Sequence, residues 1–106
     1  MAITNTALQN ADAQSIFTST GTHGDIVTVI YLCNVDTVFE TANVFVVQNG
    51  DTPDPTYNII YSNVFIAAED TLVVDMEKIV LSPGDYIAAN CTTSNMVVAT
   101  VSTLVV

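Results

Sequence analysis

This sequence has almost no positive charge. Lys78 is its single cation, there is no arginine, and eleven aspartates and glutamates give a formal net charge of −10 over 106 residues. Binding to nucleic acid needs several lysines or arginines that release condensed counterions, and anionic membrane surfaces attract basic segments. The charge balance therefore argues against both nucleic acid and membranes as partners.

Strong helix formers, long apolar runs and an export signal are missing as well. There are only five leucines and three glutamates, and apolar stretches such as residues 44–47 are far shorter than the roughly 18 residues that cross a bilayer. Residues 1–6 contain neither the basic region nor the apolar region of a secretory signal. We therefore expect a soluble protein that is made in the cytoplasm.

Cysteine and histidine are too few, and too widely spaced, for a zinc site. The chain has Cys33, Cys91 and His23, without the close ligand pairs of zinc-binding sequences. Both cysteines lie in strand-like runs, where unpaired thiols act as small buried hydrophobic groups. A disulfide between Cys33 and Cys91 stays possible, but a cytoplasmic origin favours free thiols.

Catalytic patterns are equally scarce. His23 lies between Gly21 and Asp25, so Ser15 or Ser19 could be written with His23 and Asp25 as a triad. Neighbours within one turn rarely converge in that way, and no G-x-S-x-G motif occurs. We therefore predict no catalytic residue, no cofactor and no enzymatic activity.

Two binding functions stay open at this point. Asp51 and Asp54 lie in one loop, where carboxylates can bind calcium, but no EF-hand pattern is present and solvated loop acids are the favoured interpretation. There is no tryptophan for a sugar platform. Tyr57 and Tyr61 have the spacing of one strand face, and we interpret them as core or interface residues rather than as such a platform.

Valine, isoleucine and threonine supply 40 of the 106 residues, which is typical of β-sheet proteins. Turn residues divide the chain at the spacing of short strands, including an Asn49-Gly50 loop with two prolines that we expect to project, and a turn at Pro83-Gly84. The predicted strands cover residues 3–8, 15–19, 26–34, 42–48, 56–66, 71–75, 79–81, 86–91 and 96–105. The fold class is therefore all-β, a single antiparallel β-sandwich of jelly-roll or Ig-like type with eight to nine short strands, and residues 1–106 form one domain.

Two segments are apolar on both strand faces, residues 26–32 and 44–47. Strands covered on both sides usually lie between helices in a parallel sheet, but no segment here has helical periodicity. A second sheet can cover one side, and another subunit is the remaining candidate for the other. We therefore expect a homo-oligomer, and a monomer with a large core is the alternative.

Two runs give the chain a resemblance to a known class. The run IYLCN at residues 30–34 and the run LSPGDYIAA at residues 81–89, followed by a final Val/Thr strand, resemble small virion proteins of tailed bacteriophages. The resemblance covers residues 26–106 and depends on turn sequences. It implies a β-sandwich without catalytic residues that acts in the virion.

Within that class, we expect a capsid decoration (cement) protein that binds the outside of a phage head as a homotrimer. Its partners would be further copies of itself and the major capsid protein or another virion protein. A neck, tail or fibre component of the particle is the alternative. A small carbohydrate-binding module is the alternative from another class.

Overall fold

The computed structural model describes residues 2–74 and 78–106, and over these residues the chain forms nine strands and no helix. The strands are β1 (Ala2–Ala7), β2 (Gln14–Thr18), β3 (Asp25–Asn34), β4 (Glu40–Val47), β5 (Ile59–Ile66), β6 (Thr71–Val74), β7 (Ile79–Leu81), β8 (Tyr86–Cys91) and β9 (Val97–Val105). All strand pairs are antiparallel. The predicted all-β sandwich is confirmed.

The strands form two sheets with a nested pairing. In the first sheet the order is β1-β9-β3-β6, with β7 also paired to β3, and in the second it is β2-β8-β4-β5. The first half of the chain thus pairs with the second half in sequence: β4 with β5, β3 with β6 and β7, β2 with β8, and β1 with β9. An Ig-like sandwich would place its first two strands in one sheet. Here β1 and β2 lie in different sheets, so the order is that of a jelly roll.

The core lies between the two sheets and follows from the alternation of side chains along each strand. Ile30 and Leu32 of β3 face Val44 of β4 and Ile87 of β8 across the sandwich, and all four are almost completely buried. The predicted alternation in β8 is confirmed, because Ile87, Ala89 and Cys91 lie in this core while Ala88 lies on the other face. Apolar burial of this kind is the main stabilising contribution in the fold.

Two turns have the predicted chemistry. Asp85 N donates to Ser82 O at 3.0 Å, and Gly84 between them has φ of 91°, as required at the third position of this β-turn. Gly24 closes the turn before β3 with φ of 95°, and a Cβ there would lie 2.1 Å from Leu81 O. Only glycine fits at that position.

The strand that follows the β4–β5 connection begins later than predicted. The predicted strand over residues 56–66 begins only at Ile59, because the Asp54 carboxylate accepts hydrogen bonds from Thr56 N at 2.8 Å and Thr56 Oγ1 at 2.6 Å and holds a turn there. Within this connection, Tyr86 Oη donates to Asp51 O at 3.0 Å and ties the loop to the second sheet. The predicted end of the strand over residues 71–75 lies outside the described residues.

Candidate functional site

The triad that could be written from the sequence is not assembled. Ser19 Oγ donates to Asp25 Oδ2 at 2.6 Å, and both residues are buried. In a catalytic triad, histidine lies between these two groups and accepts the serine proton. His23 instead lies exposed in the turn, with no hydrogen bond to either residue. The Ser19 hydroxyl therefore anchors the carboxylate at the start of β3.

The two cysteines are free and lie in different layers of the fold. Cys33 is half-buried on the outer side of the first sheet, opposite Val98 and Thr71 in the strand register. Cys91 lies in the core, and its Sγ donates to Thr93 O at 3.1 Å. Burial raises the pKa of the Cys91 thiol, so it stays protonated at neutral pH and is a poor nucleophile.

The loop acids form no evident cation site. Within residues 2–74 and 78–106, no three histidine, cysteine or carboxylate side chains come together in a way that could hold a metal ion. The Asp54 carboxylate accepts from Thr56, and these hydrogen bonds lower the pKa of Asp54. Asp51 is exposed in the same loop.

The two tyrosines singled out by their spacing are separated. Tyr61 of β5 packs against the core, as expected of one of the pair. Tyr57 precedes the strand, in the turn held by Asp54, and is 61% exposed. The prediction of one shared strand face was wrong, because the turn ends the strand before it reaches Tyr57.

Over the described residues, the outer face of the first sheet is mainly apolar, with some uncharged polar side chains and no charged one. We call this surface the bare face. Its residues alternate along each strand with the buried ones, and the strand register places them side by side on the outer side of the sheet. They are Ile3, Asn5 and Ala7 of β1, Ile26, Val29, Tyr31 and Cys33 of β3, Thr71, Val73 and Val80 of β6 and β7, and Val98, Thr100, Ser102 and Leu104 of β9. Val80, at 68%, and Ile3, at 66%, are the most exposed apolar side chains in this set.

The outer face of the second sheet is, by contrast, covered by the chain itself. Phe45, Val47 and Ala88 are buried there in a small cluster with Ala13 and Ile59 packed against it. Ala13 comes from the β1–β2 connection, so one loop contributes to the cover. The expectation that another subunit covers both apolar strands is therefore not needed for β4. It stays in force for β3, because Tyr31 on its outer side is exposed.

A groove remains on the outer face of the second sheet, between the β1–β2 and β4–β5 loops. It has a volume of about 670 Å³. Its polar lining includes Asp12, Asn43, Asn63 and Asn90, and Phe45 also lines it. We call it the amide groove, after its three asparagines.

A separate aromatic patch lies at one end of the sandwich. The rings of Phe39 and Phe65 are stacked with their centroids 5.2 Å apart, yet the residues are 58% and 61% exposed. Phe39 lies in the β3–β4 loop and Phe65 in β5. Val35 and Val38 of the β3–β4 loop are exposed as well. We call these four residues the aromatic end.

Comparison of the chain with known protein families, with curated proteins and with solved structures finds no match. Across the described part of the chain, no helix is long and apolar enough to cross a membrane.

Sequence reasoning anticipated the bare face but not the amide groove. Residues 26–32 are apolar on both strand faces, and this pattern indicated that β3 has an apolar outer side in addition to the side that faces the core. Nothing in the sequence marked Asn43, Asn63 and Asn90 as neighbours, because the pairing of β4 with β8 and with β5 brings them together. The available signal was only three asparagines inside predicted strands, a residue type that strands disfavour.

Proposed function

We propose that this chain is a non-enzymatic structural subunit of a phage particle, a capsid decoration (cement) protein that binds the outside of the head as a homotrimer. The observation that carries the proposal is the bare face, a mainly apolar sheet surface that holds no charged side chain among the described residues, in a chain of net charge −10. The turn sequences that resemble phage virion proteins support a location on a phage particle. A homotrimer has the symmetry of the threefold positions on a capsid shell, which favours three copies.

The distribution of charge makes the bare face suitable for self-association. Every acidic residue in the described ranges lies in a loop, in a turn or at the first position of a strand. Two highly negative copies repel each other wherever their carboxylates approach. Contact through the bare face keeps the described carboxylates at the rim of the interface between copies. The cores of protein interfaces are typically poor in charged residues, as this face is.

The aromatic end offers a second surface for the shell. Aromatic side chains are frequent anchors of protein interfaces, and two exposed, stacked phenylalanines form such an anchor here. A decoration protein needs one surface for its sister copies and another for the capsid protein. We assign the bare face to the first and the aromatic end to the second.

A neck, tail or fibre component would use the same two kinds of surface. What separates it from a decoration protein is the location of the partner on the particle. Sedimentation with assembled empty heads favours decoration, whereas association with isolated tails but not with heads favours the alternative.

The first test is the mass of the purified protein by light scattering. We expect about 34 kDa, which is three chains of 11.3 kDa. Val80→Asp should give the monomer mass, because it places a charge on the bare face. Val35→Asp adds the same charge at an exposed valine outside that face and should keep the trimer. A monomeric wild-type protein, or equal masses for the two variants, would overturn the self-association.

The second test separates shell binding from self-association. Phe65→Ser removes one ring of the aromatic end but leaves the bare face intact. We expect this variant to keep the trimer mass and to lose sedimentation with assembled phage shells. Undiminished sedimentation of a correctly folded variant would show that the aromatic end is not the shell contact.

A further inference from the structure

We propose that the amide groove is a binding site for a neutral oligosaccharide. The groove lies on the second sheet, so the proposal is independent of the role assigned to the bare face. Its volume of about 670 Å³ falls within the roughly 300–1,000 Å³ of typical small-molecule sites. It is open along the sheet surface between two loops, which suits a short chain of sugar units.

A β-bulge builds one wall of the groove. Ala42 pairs with Val64 and Val44 pairs with Tyr61, so Ser62 and Asn63 of β5 together oppose Asn43 of β4. Asn63 has φ of 49°, in the left-handed region that asparagine tolerates. Bulges re-aim side chains and are frequent beside functional sites. This one places Ser62 and Asn63 in the lining of the groove.

The amide groups across the groove are oriented by a directional chain of hydrogen bonds. Asn63 N donates to Asn43 Oδ1 at 2.8 Å, Asn43 Nδ2 donates to Asn90 Oδ1 at 2.9 Å, and Asn90 Nδ2 donates to Ala11 O at 2.8 Å. Each side-chain NH₂ group has two protons, and this chain uses one from Asn43 and one from Asn90. A second proton on each amide is left for a ligand hydroxyl, in a site whose orientation is already fixed.

The other lining residues complete the chemistry of a sugar site. Asp12 supplies a carboxylate that can accept hydrogen bonds from two hydroxyls. Pro53, Pro55 and Ile59 supply apolar surface for the C–H face of a pyranose ring. Donors, an acceptor and small apolar patches in one groove match a ligand that alternates hydroxyl and C–H groups.

Electrostatics restricts the ligand to an uncharged sugar. No lysine or arginine lines the groove, and Asp12 is its charged residue. The net charge of −10 adds a repulsive field for any anion. Sialylated, sulfated or phosphorylated glycans are therefore disfavoured.

In a trimer formed through the bare face, each groove would lie on the sheet turned away from that contact.

The test is a titration of ¹⁵N-labelled protein with neutral trisaccharides, followed by NMR of the asparagine side-chain amides. The probes are maltotriose, cellotriose, mannotriose and N,N′,N″-triacetylchitotriose, with sialyllactose and blocked trialanine as comparison ligands. We expect at least one neutral trisaccharide to give saturable shifts of the Asn43 and Asn90 amides at millimolar concentration or below. Absence of saturable shifts with all four, or equal shifts with blocked trialanine, would overturn the proposal.

Variants locate the sugar in the groove. Asp12→Ala should weaken binding about tenfold, as expected for loss of a hydrogen bond to a charged group, and Ser62→Ala serves as a second variant at an exposed site. Asp51→Ala removes an acid from the β4–β5 loop at a position that does not line the groove, and should leave affinity unchanged. If Asp12→Ala and Ser62→Ala bind as the wild type does, the sugar lies elsewhere and the site is wrong. Light scattering on the same samples reports separately on the trimer.

Discussion

Individual residues in this protein use their polar atoms to hold structure. Cys91 illustrates this, because its thiol donates to Thr93 O and lies in the core. Desolvation raises the pKa of Cys91 above its ordinary value of 9.0, and the nearby Glu40 carboxylate acts in the same direction. The folded protein therefore holds the Cys91 proton more tightly than the unfolded chain does.

This linkage predicts an alkaline loss of stability. Since the folded pKa of Cys91 is the higher one, its contribution is complete below pH 9.0 and is lost as pH rises through the folded pKa. We expect the free energy of unfolding, measured by urea titration, to fall above pH 9, and to fall less steeply in Cys91→Val. Cys33→Val retains Cys91 and should retain the full slope. Identical slopes in all three proteins would contradict the assignment.

Among the structural elements, the β3–β4 loop depends on one buried side chain. Asn34 ends β3, and its Nδ2 donates to Val38 O at 3.0 Å and to Ile66 O and Ala67 O at 3.1 Å each. Its Oδ1 accepts from Asp36 N at 2.8 Å. One amide thus joins the loop that carries the aromatic end to the end of β5.

Replacement of this amide should be costly. Asn34→Asp puts a carboxylate oxygen against three carbonyl oxygens, and we expect a destabilisation of roughly 3 kcal/mol in urea unfolding. Asn95→Asp makes the same change at an exposed position, where the side-chain oxygen accepts from Gln9 and can keep doing so. That control should lie within about 0.5 kcal/mol of the wild type. Equal stability of the two variants would show that the loop is held by other contacts.

The strands were predictable where local pattern and turn chemistry agree. β7 and β8 have the predicted bounds, because proline and glycine at residues 83 and 84 separate two clear patterns. The start of β5 was predicted too early, since a side chain, Asp54, competes with the backbone pairing. The amide groove could not be predicted, because Asn43 is 20 residues from Asn63 and 47 from Asn90. Pairing of three strands and one bulge create it.

Within the described part of the chain, charge is segregated from the bare face. The acids lie in loops, in turns or at the first position of a strand, with Lys78 just before β7, and none of them lies on that face. With a single lysine and no arginine, ion pairs contribute little to this fold, so its stability comes from burial and from backbone ladders. A molecule of this kind can add to its stability by covering more apolar surface, and the bare face offers such a surface.

Cys33 provides an internal reporter of that contact, because it lies within the bare face while Cys91 lies in the core. If sister copies cover the face, iodoacetamide should alkylate Cys33 slowly in the wild-type protein and several-fold faster in the monomeric variant Val80→Asp, as measured by mass spectrometry of the intact chain. Cys91 should stay unmodified in both, because it is buried and its raised pKa keeps the thiol protonated. Val35→Asp, the control that we expect to keep the trimer mass, should behave as the wild type does, which separates coverage of the face from a general effect of the added charge. Rapid alkylation of Cys33 in a protein that still has the trimer mass would place the subunit contact on another surface, and the bare face would then be free for the shell.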